Sequence, residues 1–289
     1  MTYYMQLSAE LYLILAILSS ASMAIALKIF QGGEGNRYAI LLGNYLTCVL
    51  LAFALLPEKT VFFRMERATL ICGCIGGLFF VTALVGMQSS VRVNGAILTA
   101  AFSRLGLLVP LLISIFVFGE KPGGWQIAGL VCVFAAMWLI GGKEESQAGI
   151  RFALLLFVLI FCGSGDAMAK IFEHTGKSEQ DALYIFFVFL TAAILTLLLL
   201  IREYRVTGKR TAMRDMAAGI AVGIPNYFSS LMLLKALEKL PAILVYPVFS
   251  TGAILVVTLL GALLFGERPG KRQWIALGII LAALVLLNI

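Results

Sequence analysis

The chain has 289 residues, 61% of them hydrophobic and only 13% charged, with a mean hydropathy of +1.01 and a formal net charge of +7. Soluble globular domains hold about half of their residues apolar and about a quarter charged, so this composition excludes an ordinary soluble domain and points to a lipid bilayer. The excess of Lys and Arg suits loops that meet anionic headgroups, with membrane lipids as the implied partner and no nucleic acid.

A helix that crosses a membrane needs about 20 mostly apolar residues. Ten such stretches are predicted in chain order: 9–30, 37–56, 68–88, 94–118, 124–141, 152–173, 182–201, 215–236, 241–265 and 272–288. The first is long enough to span and has no basic segment before it, so it is expected to stay in the mature protein rather than be cleaved as a leader. The five cysteines Cys48, Cys72, Cys74, Cys132 and Cys162 all fall inside predicted spans, where a thiol commonly serves as packing. His174 is the single histidine, and the Cys72-x-Cys74 pair has no companions at zinc spacing, so neither a metal site nor a cofactor is expected. Arg202, Arg205, Lys209, Arg210 and Arg214 read as a membrane-surface loop between the seventh and eighth spans.

Two segments repeat each other. "FSRLGLLVPLLISIFVFGEKPG" from Phe102 and "FSTGAILVVTLLGALLFGERPG" from Phe249 share their opening Phe-Ser and their closing Phe-Gly-Glu, basic residue and Pro-Gly, at one offset of 147 residues. A weaker echo links "ALKIF", ending at Phe30, with "MAKIF", ending at Phe172. A unit with an odd number of spans re-enters the membrane from the other side when it is repeated. The halves, 1–145 and 146–289, would then be inverted copies with a binding site between them near the midplane.

On the two "FGE[KR]PG" turns, the span count and the duplicated five-helix layout, the chain resembles the drug/metabolite transporter superfamily, and within it the ten-span EamA-type group. The resemblance implies an all-α membrane protein, its ten transmembrane helices arranged as two inverted five-helix repeats around a central cavity. It also implies transport of small polar solutes across a cytoplasmic or organellar membrane by alternating access, commonly as an exporter of amino acids or other metabolites, and the cell membrane is the expected location.

An ionisable residue at the bilayer centre costs about 2.5 to 3.5 kcal/mol, so each one inside a span needs a partner or a watery cavity. Lys28, Lys170 and Lys235 lie near span ends and are expected to snorkel to the interface. Arg104 lies too deep for that. Its guanidinium would clamp a carboxylate or phosphate, or else pair with Asp166 or bond the carbonyls of a broken helix. Asp166 is the one deep carboxylate, and it reads either as an i, i+4 partner of Lys170 or as a proton-carrying site. The run Gly163-Ser164-Gly165-Asp166 also resembles the signature of intramembrane aspartyl proteases. That chemistry needs two carboxylates sharing a proton, and Asp181 and Asp215, beside loops, supply no second one. No catalytic residue is assigned, and the chain is not expected to be an enzyme.

The substrate-binding candidates are Arg104 and Ser103 in the fourth span, Asn44 in the second, Asn226 and Tyr227 in the eighth, and Tyr246 and Ser250 in the ninth, with Asp166 as the coupling or ion-pair candidate. The two amides carry donors and acceptors that hydrocarbon cannot satisfy. Pro110, Pro225 and Pro247 are candidate kinks. These residues suggest a carboxylate-bearing substrate such as an amino acid, with a neutral or cationic solute recognised by Asp166 as the alternative. Protons are a candidate coupling ion, and the unit would be a monomer or a homodimer. Outside transport stands a degenerate transporter kept as a structural or sensory protein, with an intramembrane enzyme ranked last. Basic residues favour the loops opposite the N-terminus, which by the positive-inside rule puts the termini outside, whereas the resemblance implies cytoplasmic termini.

Overall fold

The computed structural model describes residues 8–30, 35–56, 59–94, 96–141, 152–208 and 211–265, with scattered helical positions between 275 and 286. Among the described residues there are helices and no strands. In chain order they are α1 (Ala9–Phe30), α2 (Arg37–Ala54), α3 (Arg67–Asn94), α4 (Ala96–Leu105), α5 (Leu108–Phe116), α6 (Gly124–Gly141), α7 (Phe152–Thr175), α8 (Asp181–Thr207), α9 (Met213–Leu237) and α10 (Ala242–Phe265). Short 3-10 turns cover Lys59–Arg64 and Ser178–Gln180. Seven of these helices, α1, α2, α3, α7, α8, α9 and α10, are long and apolar enough to cross a membrane. The other three expected spans correspond to α6, to the pair α4 and α5, and to 272–288, most of which lies outside the described residues.

The expected single span 94–118 is in fact two helices. The chain tightens at Gly106 and Leu107, whose N–H groups donate to the carbonyls of Ser103 and Arg104, 3.2 and 3.3 Å away. Pro110 lies four residues after Gly106 and has no N–H to donate to the Gly106 carbonyl, so a continuous helix would lose a bond there anyway. Packing exploits the break: a Cβ at Gly163 of α7 would collide with the Gly106 carbonyl, so only glycine admits this approach. By contrast, α9 and α10 run through Pro225 and Pro247 without interruption.

The expected loop at Arg202 and Arg205 is also corrected. Both belong to α8, which continues to Thr207 and is ended by Gly208 in the left-handed conformation, φ +67°. Arg214 lies in the first turn of α9, and Lys209 and Arg210 fall outside the described residues.

Helices of the first half pack chiefly on helices of the second. α1 lies against α9 and α10, and α7 against α3, α4 and α5. α2 lies against α8 and α9, and α3 against α7 and α8. Exchanging α1 with α7, α2 with α8, α3 with α9, and the α4–α5 pair with α10 turns this set of main pairings into itself. Small residues set the closest approaches: a Cβ on Gly43 of α2 would stand 2.7 Å from the Met216 carbonyl oxygen of α9, and one on Gly73 of α3 would stand 2.6 Å from Cβ of Phe187 of α8. Beside these contacts the core is aromatic, with Phe172 of α7 stacked on Tyr184 of α8 at 4.3 Å.

Candidate functional site

Arg104 lies in the last turn of α4 just before the break, and Asp166 lies two turns from the end of α7. Arg104 is exposed despite its depth along the chain of helices. The two charges lie close enough to act on each other. Yet among the described residues no ion pair within 4 Å and no hydrogen bond holds the guanidinium or the Asp166 carboxylate. Ser103 donates to Sγ of Cys162 at 3.4 Å and reaches Sδ of Met87 at 3.9 Å. The buried Tyr246 of α10 donates from its hydroxyl to the backbone carbonyl of Asp166 at 2.7 Å. Four of the expected residues, Ser103, Arg104, Asp166 and Tyr246, therefore meet from three elements. Cys162 joins them unforeseen, although its position one turn before Asp166 on α7 could have placed it there.

The expected Asp166–Lys170 pair does not form. Lys170 is 6% exposed, and its ammonium binds Glu120 at 3.0 Å and Glu173 at 2.7 Å instead. Lys235 does not snorkel freely either, since it binds Asp181 at 2.6 Å and Glu238 at 3.0 Å. Both lysines found carboxylates at the helix ends, where two charges satisfy one another more fully than either would alone. Lys28, in the last turn of α1, is exposed.

The other candidates sit apart from this group. Asn226 donates through Nδ2 to Oδ1 of Asn44 at 3.0 Å, and the Cys48 thiol lies 3.7 Å from the same oxygen, so the amides tie α9 to α2. Tyr227 is fully buried against Phe228, and its hydroxyl has no hydrogen-bond partner among the described residues. Ser250 is buried one turn beyond Tyr246. Among the described residues, no group of three His, Cys, Asp or Glu side chains could hold a metal ion.

The two ends of the bundle carry different bonds. On the end where α1 begins, Glu120 accepts from the backbone N–H groups of Ala242 and Ile243, each at 3.2 Å, while Lys177 pairs with Glu66 at 2.6 Å. That pairing holds the exposed Lys177 ammonium above the usual lysine range. Gln180 bonds Thr69, the Glu66 backbone N–H and the Arg64 carbonyl. On the opposite end Asp215 accepts from the Asn36 N–H at 2.9 Å, and Asn36 donates to Glu203 at 2.7 Å.

Residues 150–289 match the EamA-like transporter family. An uncharacterized protein of Haemophilus influenzae is 26% identical over 284 residues, which is 94% of this chain and 95% of that one. A solved crystal structure shares the fold at a TM-score of 0.75 and 17% identity, over 96% of this chain and 95% of its own. With apolar helices on both sides of residue 150, the chain is a multi-pass integral membrane protein whose residues 150–289 are similar to the EamA-like transporter family.

Proposed function

We propose that this protein is a secondary transporter of the cytoplasmic membrane that exports a small carboxylate-bearing metabolite, first of all an amino acid. It would do so by alternating access between two inverted five-span repeats, residues 1–145 and 146–289, with a central cavity between them. The exchange symmetry of the helix pairings supports the repeat, and the EamA-like domain supports transport. The observation that carries the substrate class is Arg104, exposed at the break between α4 and α5 with Asp166 across from it and no partner within ion-pair reach among the described residues. A guanidinium fork takes a carboxylate bidentately, and a carboxylate nearby takes an ammonium. Opposite charges that face each other without touching complement a zwitterion. Ser103 and Tyr246 would complete the wall, and no step calls for a nucleophile or a cofactor.

The second reading, a neutral or cationic solute recognised by Asp166 or a proton carried there, has its own support: Lys170 leaves Asp166 free by binding Glu120 and Glu173. A thermal-shift screen of detergent-purified protein against amino acids, nucleosides, sugars, organic phosphates and small cations separates the two. A ligand at a hundred times its dissociation constant stabilises by about 2.7 kcal/mol. Hits among carboxylates that disappear in Arg104→Ala support the anion clamp. Losing a charge-assisted bidentate contact should weaken binding about 10- to 100-fold. If Arg104→Ala folds and binds and transports the same solute with unchanged affinity in proteoliposomes, the clamp is wrong.

A further inference from the structure

We propose that Glu120, Lys170 and the first turn of α10 form the gate that closes the membrane face where α1 begins, and that Tyr246 connects this gate to the Arg104–Asp166 site; the inference rests on the transport reading above. Glu120 follows α5 in the first half, whereas Lys170 and α10 belong to the second. The first N–H groups of a helix have no partner within it and form its positive end, so a carboxylate that accepts from two of them is held firmly. Glu120 does this at Ala242 and Ile243, and Lys170 adds a bond at 3.0 Å from the same second half. Both side chains of the ion pair are shielded, with 7% and 16% exposure, and Phe118 lies beside Lys170. Its ring lies 5.9 Å below the Lys170 ammonium and 4.2 Å from the His174 ring. Motion of one half against the other cannot open this face without separating Glu120 from Ala242 and Ile243.

Other ties on this face differ in kind, and one of them, Lys239 over the Tyr12 ring of α1 at 5.2 Å, also joins the halves. Lys235, Asp181 and Glu238 bind one another within the second half, so they can move as one body. The pair of Lys177 and Glu66 and the bonds of Gln180 do cross between the halves, but they join the foot of α3 to the α7–α8 turn, away from α10. At the gate itself, Asp166, Lys170 and Glu173 recur at i, i+4 and i+7 along one face of α7. Tyr246 bonds the Asp166 carbonyl from one turn beyond the backbone that Glu120 grips. A solute that draws on Asp166 therefore acts on α10 one turn beyond the residues that the gate holds.

The test uses Cys162, which lies beside Ser103 in the site and reports access from either face. The full chain is reconstituted in vesicles, a membrane-impermeant maleimide is added to one face or the other, and labelling of Cys162 is followed by mass spectrometry. Glu120→Gln, which keeps the shape and removes the charge, and Lys170→Gln should each raise labelling from the face where α1 begins about fivefold or more, the effect expected from losing one buried charged contact. Lys177→Gln, which removes the exposed pair, should leave it at the wild-type rate. Unchanged labelling in both gate variants, at unchanged melting temperature and monodisperse elution, overturns the gate, and so does an equal rise in Lys177→Gln. If Glu120→Gln does not fold, Lys170→Gln decides alone. Because labelling needs no substrate, a gate that responds while no carboxylate binds would refute the substrate reading alone, and bound carboxylate with unresponsive labelling would refute the gate alone.

Discussion

Aligned on their shared Phe-Ser and Phe-Gly-Glu residues, the two halves of the molecule differ at the next position: Arg104 in the first stands where the second has Thr251. Aligned on Lys-Ile-Phe, they differ again, with Ala24 in α1 where α7 has Asp166. Thr251 is fully buried and bonds the Pro247 carbonyl of its own helix at 2.6 Å, so it asks nothing of its surroundings. Arg104 is exposed and is not held in that way. The residues that match between the halves, charged Lys28 with Lys170 and Glu120 with Glu267 among them, set turns and helix ends, whereas Arg104 and Asp166 each stand in one half alone. A symmetric site would bring two arginines or two aspartates face to face. One change in each half instead produces opposite charges on a near-symmetric scaffold, which suits a solute with two different ends.

Making the halves alike is the strongest way to break this comparison. Thr251→Arg would place a guanidinium at a position with 0% exposure, where a charge without a partner costs several kcal/mol, so folded yield should collapse. Size-exclusion chromatography would reveal it, and a well-folded Thr251→Arg protein would mean that this side of the bundle is wetter than its burial implies. The converse change, Asp166→Asn, should leave folding intact. It should weaken binding of an amino acid about tenfold while sparing the matching carboxylic acid without its amine, since one charged contact is lost and the Arg104 contact remains. Equal loss of both ligands in a thermal-shift titration would assign Asp166 a structural task.

The helices were legible because long apolar runs between charged turns have few alternatives in a bilayer. Their interruptions were less so. Pro110 was visible as a candidate kink, but the break lies earlier, at Gly106, because the missing proline N–H frees a carbonyl one turn back and Gly163 takes up the space. The extension of α8 past Arg205 had a signal in Gly208, a common helix terminator. Partners distant in sequence left no signal. Asp166 lies only four residues before Lys170 on α7, yet Lys170 binds Glu120, fifty residues earlier, as well as the local Glu173, once α5 packs on α7. The amides Asn44 and Asn226 stood out individually as polar groups in apolar helices. That they satisfy each other across 182 residues of sequence depends on glycines that let α2 and α9 approach. Arg104 and Asp166 could be singled out by the cost of burying charge, but that each acts on the other required the fold.

The smallest effect discriminates most finely, because Tyr246→Phe keeps the ring of a fully buried side chain and removes only the hydroxyl that reaches the Asp166 carbonyl. If that bond merely packs α10 on α7, the loss should appear as about 1 kcal/mol of stability, with ligand affinity and Cys162 labelling unchanged. If it couples the site to the gate, stability should fall by a similar amount, and saturating ligand should no longer change the rate at which Cys162 is labelled from the face where α1 begins. In the wild type the ligand should change that rate. The contrast depends on one oxygen atom, and it asks whether the half of the molecule that supplies the carboxylate also moves the helix that closes over it.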